Sequence, residues 1–146
     1  MESRGAPARL RRTPSWLINE VAVHATRLVS EGFASAESRR YHYKLLATLD
    51  EFGPASQADL GRRGGVDRSD VVAAVNELAE RGFVERAVDP ADRRRNIVTI
   101  TAAGAEHLRH LDEVLAVAQD ALLAPLSAAE RQELVRMLSR LAEHHS

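Results

Sequence analysis

Apolar residues recur every three or four positions through most of the chain, and two short β-prone runs interrupt that rhythm near its middle. Leu17, Val21, His24 or Ala25, and Leu28, with Trp16 at their head, predict a helix from about Ser15 to Glu31 that Gly32 ends. Tyr43, Leu45, Leu46 and Leu49 predict a second helix over roughly 35–52, broken by Gly53-Pro54. Ser56 is placed to cap a short helix, Gln57 to Arg63, and Gly64-Gly65 then supplies a turn with Val66 packed beneath it. Asp67 is placed to cap the next helix, which carries Asp70 in its first turn, runs to Arg81 and stops at the left-handed position of Gly82.

The period then changes. Phe83-Val84-Glu85-Arg86 and Ile97-Val98-Thr99-Ile100 read as strands, and the turn-forming, arginine-rich stretch 89–96 between them reads as a hairpin tip. Beyond it Thr101 caps a long helix reaching about Leu123, with Leu108, Leu111, Val114, Leu115, Ala118 and Leu122 along one stripe. Ser127 and Glu130 form a capping box for a last helix that turns Leu134, Met137, Leu138 and Leu141 inward. The fold class is mainly α with a small β-hairpin wing: a winged helix-turn-helix flanked by N- and C-terminal dimerisation helices. The expected divisions are a flexible basic arm at 1–14, a dimerisation helix at 15–34, the winged helix-turn-helix at 35–101 and C-terminal dimerisation helices at 102–146.

Composition narrows the function. A chain of 146 residues holds one domain with a real core. It has no cysteine, which rules out disulfides, thiolate metal sites and thiol redox sensing. Neither a signal-peptide pattern nor an apolar run of membrane-spanning length is visible, so a cytoplasmic protein without membrane association is expected. Twenty basic residues against 21 acidic ones give a net charge of −1, yet the distribution is uneven, with base concentrated at residues 93–95 and acid along the last helices. No phosphate loop or nucleophile elbow is present, so no enzyme and no cofactor is expected.

Arg93, Arg94 and Arg95 repel one another and gain nothing from a core, so they call for a dense anionic partner such as a phosphate backbone. On the helix 67–81, Val71, Ala74, Val75 and Leu78 share the inner face. The outer face offers Arg68, Ser69, Val72, Ala73 and Asn76, a set able to meet base edges in a major groove, with arginine suited to guanine and asparagine to adenine. Double-stranded DNA is the expected partner. The apolar stripes of the first and last two helices exceed what so small a domain can bury, which points to a homodimer that sets two recognition helices about 34 Å apart. Trp16, Tyr41 and Tyr43 either line a ligand pocket, with Arg86 or Arg40 holding an anionic group, or serve core and dimer packing. His107 and His110 stand at a metal-binding spacing, but no partner ligand is visible, so they read as polar surface and no metal site is expected.

From about Trp16 to the final helix the sequence resembles the MarR family of bacterial transcriptional regulators. The sharpest stretch is Asp89-Pro90-Ala91-Asp92-Arg93-Arg94-Arg95 followed, after the strand, by Ile100-Thr101-Ala102-Ala103-Gly104. Gly65-Val66-Asp67-Arg68-Ser69 and Leu78-Ala79-Glu80-Arg81-Gly82-Phe83-Val84-Glu85-Arg86 match the recognition-helix segment. The resemblance implies a homodimer bound to an operator, usually repressing, with Arg94 entering the minor groove, Asp92 bracing it, and release by a small aromatic or anionic ligand. Where the family has a leucine-like residue this chain has Gly64, and where it is often basic or polar this chain has Ala73. The alternative in a different class is a winged helix used only for protein association, without DNA.

Overall fold

The structure is a computed structural model that describes residues 5–146. In chain order its elements are α1 (Ala8–Arg11), α2 (Pro14–Ser35), α3 (Arg40–Phe52), β1 (Ala55–Ser56), α4 (Gln57–Gly64), α5 (Arg68–Glu80), β2 (Val84–Asp89), β3 (Asp92–Ile100), α6 (Ala102–Leu122) and α7 (Ala128–His145). The strands form an antiparallel sheet in the order β1-β3-β2. This is a winged helix-turn-helix with further helices on either side of it in sequence. The chain divides into a central unit, Val29–Ala116, and a terminal unit made of the chain up to Leu28 and from Val117 onward.

The inner face of α5 anchors the central unit. Val71, Ala74, Val75 and Leu78 are fully buried and share one cluster with Leu45, Leu46 and Leu49 of α3, Leu60 of α4, Val84 of β2, Val98 of β3 and Leu108 and Leu111 of α6. Each such leucine or valine contributes roughly 1.5–3 kcal/mol, so the outer face of α5 is displayed on a firm base. At the turn before α5, Gly65 takes φ 64°, a left-handed conformation that a Cβ would strain, and Val66 N–H closes on the Gly61 carbonyl at 2.9 Å. At the start of α6, a Cβ on Gly104 would lie 2.0 Å from the Phe83 carbonyl oxygen, so only glycine fits. Thr101 secures that junction: its hydroxyl donates to the Gly82 carbonyl at 2.7 Å and accepts from Gly104 N–H at 3.0 Å.

The structure departs from the sequence expectations at several elements. Gly32 does not stop the first helix, which continues to Ser35; a Cβ at Gly32 would come within 3.1 Å of Val114 Cγ1, so the glycine serves close helix packing instead. The stop is made later, where Glu37 adopts φ 54° and Ser38 N–H returns to the Phe33 carbonyl, and α3 therefore begins at Arg40 rather than near Ser35. A third strand, β1, pairs Ala55 with Val98 and Ser56 with Ile97; two residues are too few to leave a period in the sequence. A short helix, α1, lies within the stretch 1–14 expected to be a flexible basic arm, and Arg4 of that arm lies outside the described residues.

In the terminal unit the Ser127–Glu130 capping box is formed, and Arg131 bridges to Asp120 at 2.8 Å. Leu134 is half-buried, but Met137, Leu138 and Leu141, expected to point inward, are 43–47% exposed on the single chain. Leu17, Ile18, Val21 and Val23 of α2 are exposed as well. No helix among the described residues is long and apolar enough to cross a membrane.

Candidate nucleic-acid interface

Two elements of the central unit carry the basic and polar side chains of interest. On α5, Arg68, Ser69, Val72, Ala73 and Asn76 are all exposed, on the side opposite the buried valines and Leu78. Asp67 sits at the N-cap position with extended backbone, but its side chain caps nothing, which leaves its carboxylate in solvent near the positive helix end.

The wing departs from the expected loop in an informative way. Its strands run almost to the tip, leaving only Pro90-Ala91 between β2 and β3. Val88 pairs with Asn96, yet the next residue, Asp89, pairs with Asp92. Arg93, Arg94 and Arg95 therefore have no counterpart on β2, and the ladder ejects them as a three-residue irregularity. All three are exposed, Arg94 to 92% of its side chain. Asp92 Oδ1 accepts from Arg94 N–H at 3.1 Å and from Arg94 Nε at 3.2 Å, and Asp89 lies 3.4 Å from Arg95 Nη2 while accepting from Ala91 N–H. Both aspartates thus orient the arginines locally, and the exposed Asp92–Arg94 pair is weak enough to exchange for phosphate. Among the described residues neither Arg68 nor Arg93 has an ion-pair partner.

The sequence gives no sign of an open cleft of about 260 Å³ bordered by Gln57, Ala58 and Arg62 of α4 together with Arg94, Arg95 and Asn96 of the wing. It joins the first arm of the helix-turn-helix to the wing, and β1, invisible in the sequence, links α4 to the wing through its pairing with β3. Equally hidden is the buttress behind α5. Glu77 accepts from Arg39 Nη2 at 2.5 Å and lies 2.8 Å from His42 Nε2. Because His42 Nδ1 accepts from Arg39 N–H at 3.2 Å, the proton sits on Nε2 and the ring is neutral. Burial holds the His42 pKa below its ordinary value, against the pull of Glu77.

Comparison with known proteins decides the family. The MarR family profile matches residues 38–95. A protein of Thauera aromatica whose name links it to regulation of the hcr operon is 34% identical over 104 residues, 71% of this chain and 63% of its own. The HTH-type transcriptional repressor NicR of Pseudomonas putida is 31% identical over 98 residues, 67% of this chain and 62% of its own. The chain belongs to the MarR family. It spans under two thirds of the length of those two relatives. Among solved structures, the PcaV transcriptional regulator of Streptomyces coelicolor, in complex with its natural ligand, is 28% identical with a TM-score of 0.76, covering 97% of this chain and 99% of that one. A cysteine-to-serine mutant of E. coli MarR complexed with operator DNA shares the fold at 22% identity and a TM-score of 0.73, covering 93% of this chain and 99% of that one.

The residues grouped as a candidate ligand site are differently engaged in this MarR-family chain. Tyr43 stacks on Phe33 and donates its hydroxyl to Asp112 at 2.7 Å; burial, then that carboxylate, pushes its pKa up to about 12. Tyr41 accepts from Arg40 at 3.0 Å beneath the same guanidinium. Arg86 is engaged by another partner: its guanidinium donates to Asn76 on α5 at 2.5 Å. Trp16 belongs to the terminal unit, half-buried on α2. His107 is not mere polar surface either. It stacks on Phe83 at 4.2 Å and lies 2.8 Å from Ser38 Oγ, and no cluster of metal-ligating side chains occurs among the described residues.

Proposed function

We propose that this chain is a homodimeric, sequence-specific DNA-binding transcriptional regulator that represses from a pseudo-palindromic operator, with α5 in the major groove and the wing in the minor groove. The observation that carries this reading is the ejection of Arg93, Arg94 and Arg95 from the β2–β3 ladder, beside an α5 face that offers Arg68, Ser69 and Asn76 to solvent. Cations held out in this way suit a phosphate backbone, and the side chains on α5 suit base edges. The name of NicR, a repressor, supports the sign of regulation, and the operator complex of the E. coli protein, which shares this fold, is consistent with operator DNA as the partner. A second copy would cover the exposed Leu17, Ile18 and Val21 of α2 and Met137, Leu138 and Leu141 of α7. A small aromatic or anionic ligand relieves repression, a reading supported by the ligand complex of PcaV.

The test is a titration of duplex DNA, taken from the region flanking the gene, with the wild-type chain and with Arg94→Ala at several salt concentrations. Losing one phosphate contact per protomer should weaken binding to every sequence alike and reduce the slope of log K against log salt by about 1 per protomer. Unchanged affinity and slope would remove the wing from the mechanism. A dimer indifferent to DNA even at low salt would leave an association module in its place.

A further inference from the structure

Asn76 and Arg86 lie on different elements, α5 and β2, and meet where the recognition helix passes the wing strand. Arg86 is seated by its ladder pairing with Val98, a fully buried residue, so the base of its side chain is fixed by the core. From there Nη1 donates to Asn76 Oδ1 at 2.5 Å. A guanidinium has donors only, so it can bind the amide oxygen and not the amide nitrogen; the orientation of the carboxamide is therefore chemically fixed. With Oδ1 turned towards the strand, the trigonal carbon directs Nδ2 away from it. The edge left for a ligand is then a donor.

We infer that Arg86 is a positioning residue for base readout, setting Asn76 to present its N–H groups to the groove. This rests on the DNA-binding reading above and deepens it. A free asparagine pairs best with adenine, accepting from N6–H and donating to N7. The amide oxygen keeps a second lone pair, but with that oxygen turned towards the strand the end left for a ligand is the N–H₂, which is matched to a base edge that offers acceptors alone, and guanine presents N7 and O6 side by side. The adenine pairing expected from the sequence is thus replaced by guanine at this position. When docking removes water from the pair, the charge-assisted bond strengthens and the discrimination grows with it.

The experiment is selection of binding sites from a pool of randomised duplexes by the full chain, run in parallel for wild type, Arg86→Met, Arg86→Lys and Asn76→Ala. Arg86→Met keeps an apolar stem without donors, Arg86→Lys restores one donor, and Asn76→Ala marks the operator position concerned as the one whose base preference disappears. Wild type should enrich guanine there. Arg86→Met should lower that guanine preference by about fivefold or more, or shift it to adenine, with all other positions unchanged, and Arg86→Lys should bring guanine back. Adenine at that position in wild type, or a guanine preference that survives in Arg86→Met, overturns the assignment while leaving DNA binding intact. A wild-type chain that enriches no sequence overturns the DNA-binding reading itself, and this inference falls with it.

Discussion

Gly64 offers a sharp test of how the helix-turn-helix is packed. It is the last residue of α4, and its φ is not among the positive ones. A Cβ placed there would meet Thr48 Oγ1 at 3.6 Å, Val66 Cγ2 at 3.6 Å and Leu45 Cδ2 at 3.9 Å, all ordinary van der Waals contacts. Gly64→Ala should therefore be stabilising. Replacing a helical glycine with alanine is worth about 0.5–1 kcal/mol, and a partly buried methyl adds about 0.5 kcal/mol. The sum, roughly 1–1.5 kcal/mol, should raise Tm by about 3–6 °C in a chain of this size. Thermal unfolding followed by circular dichroism reads this directly, at matched chain concentration because the proposed dimerisation would also shift Tm. Gly104→Ala is the opposing control, since its Cβ would collide with the Phe83 carbonyl at 2.0 Å and should lower Tm sharply. A Gly64→Ala chain melting at or below the wild-type temperature would show that the gap at the end of α4 is filled or strained, and the packing argument would fail.

Other outcomes follow from the same contacts. His42 must be neutral to accept from Arg39 N–H, and burial depresses its pKa from the ordinary 6.5 despite Glu77 and with Arg39 and Arg81 nearby. The unfolded chain then binds the proton more tightly, so stability is full above 6.5 and is lost as pH falls below it; His107, lowered by burial and by Arg81, adds in the same direction. Melting curves between about pH 7 and pH 5 should show this decline, and His42→Gln should flatten it; an equally steep decline in the variant would contradict the assignment. Ser127→Ala removes the hydroxyl that accepts from Glu130 N–H, and should cost about 1 kcal/mol in urea unfolding. Tyr43→Phe frees Asp112 and should abolish the titration of a tyrosine near pH 12, readable in the ultraviolet spectrum.

The parts of the fold legible in the sequence are those governed by local chemistry. The α5 stripe Val71, Ala74, Val75 and Leu78, the Ser56 and Ser127 caps and the glycine at 82 each announce themselves within a few residues. What escapes depends on partners distant in sequence. Gly32 looks like a stop until Val114 is placed beside it, and β1 exists only because β3 is there to pair with it. The same holds for the candidate interface. Exposure of Arg68 and of the three wing arginines follows from pattern, whereas the three-residue shift that ejects the arginines is a property of strand register. Arg86 groups with the tyrosines in the sequence because its charge is visible there and its neighbour Asn76, ten residues away on another element, is not. Glu77 leaves one faint trace, the histidine three residues after Arg39 that caps α3 and reaches across to it.

The central claim is that two copies of α5 and of the arginine wing engage one duplex together. Hydroxyl-radical footprinting of a selected duplex, with the wild-type chain and with Arg93, Arg94 and Arg95 all changed to alanine, tests it most directly. The account predicts two symmetric protected half-sites about 34 Å apart, flanked by minor-groove protection that disappears in the triple variant. A single unsymmetrical footprint, or flanking protection that persists without the three arginines, would contradict it.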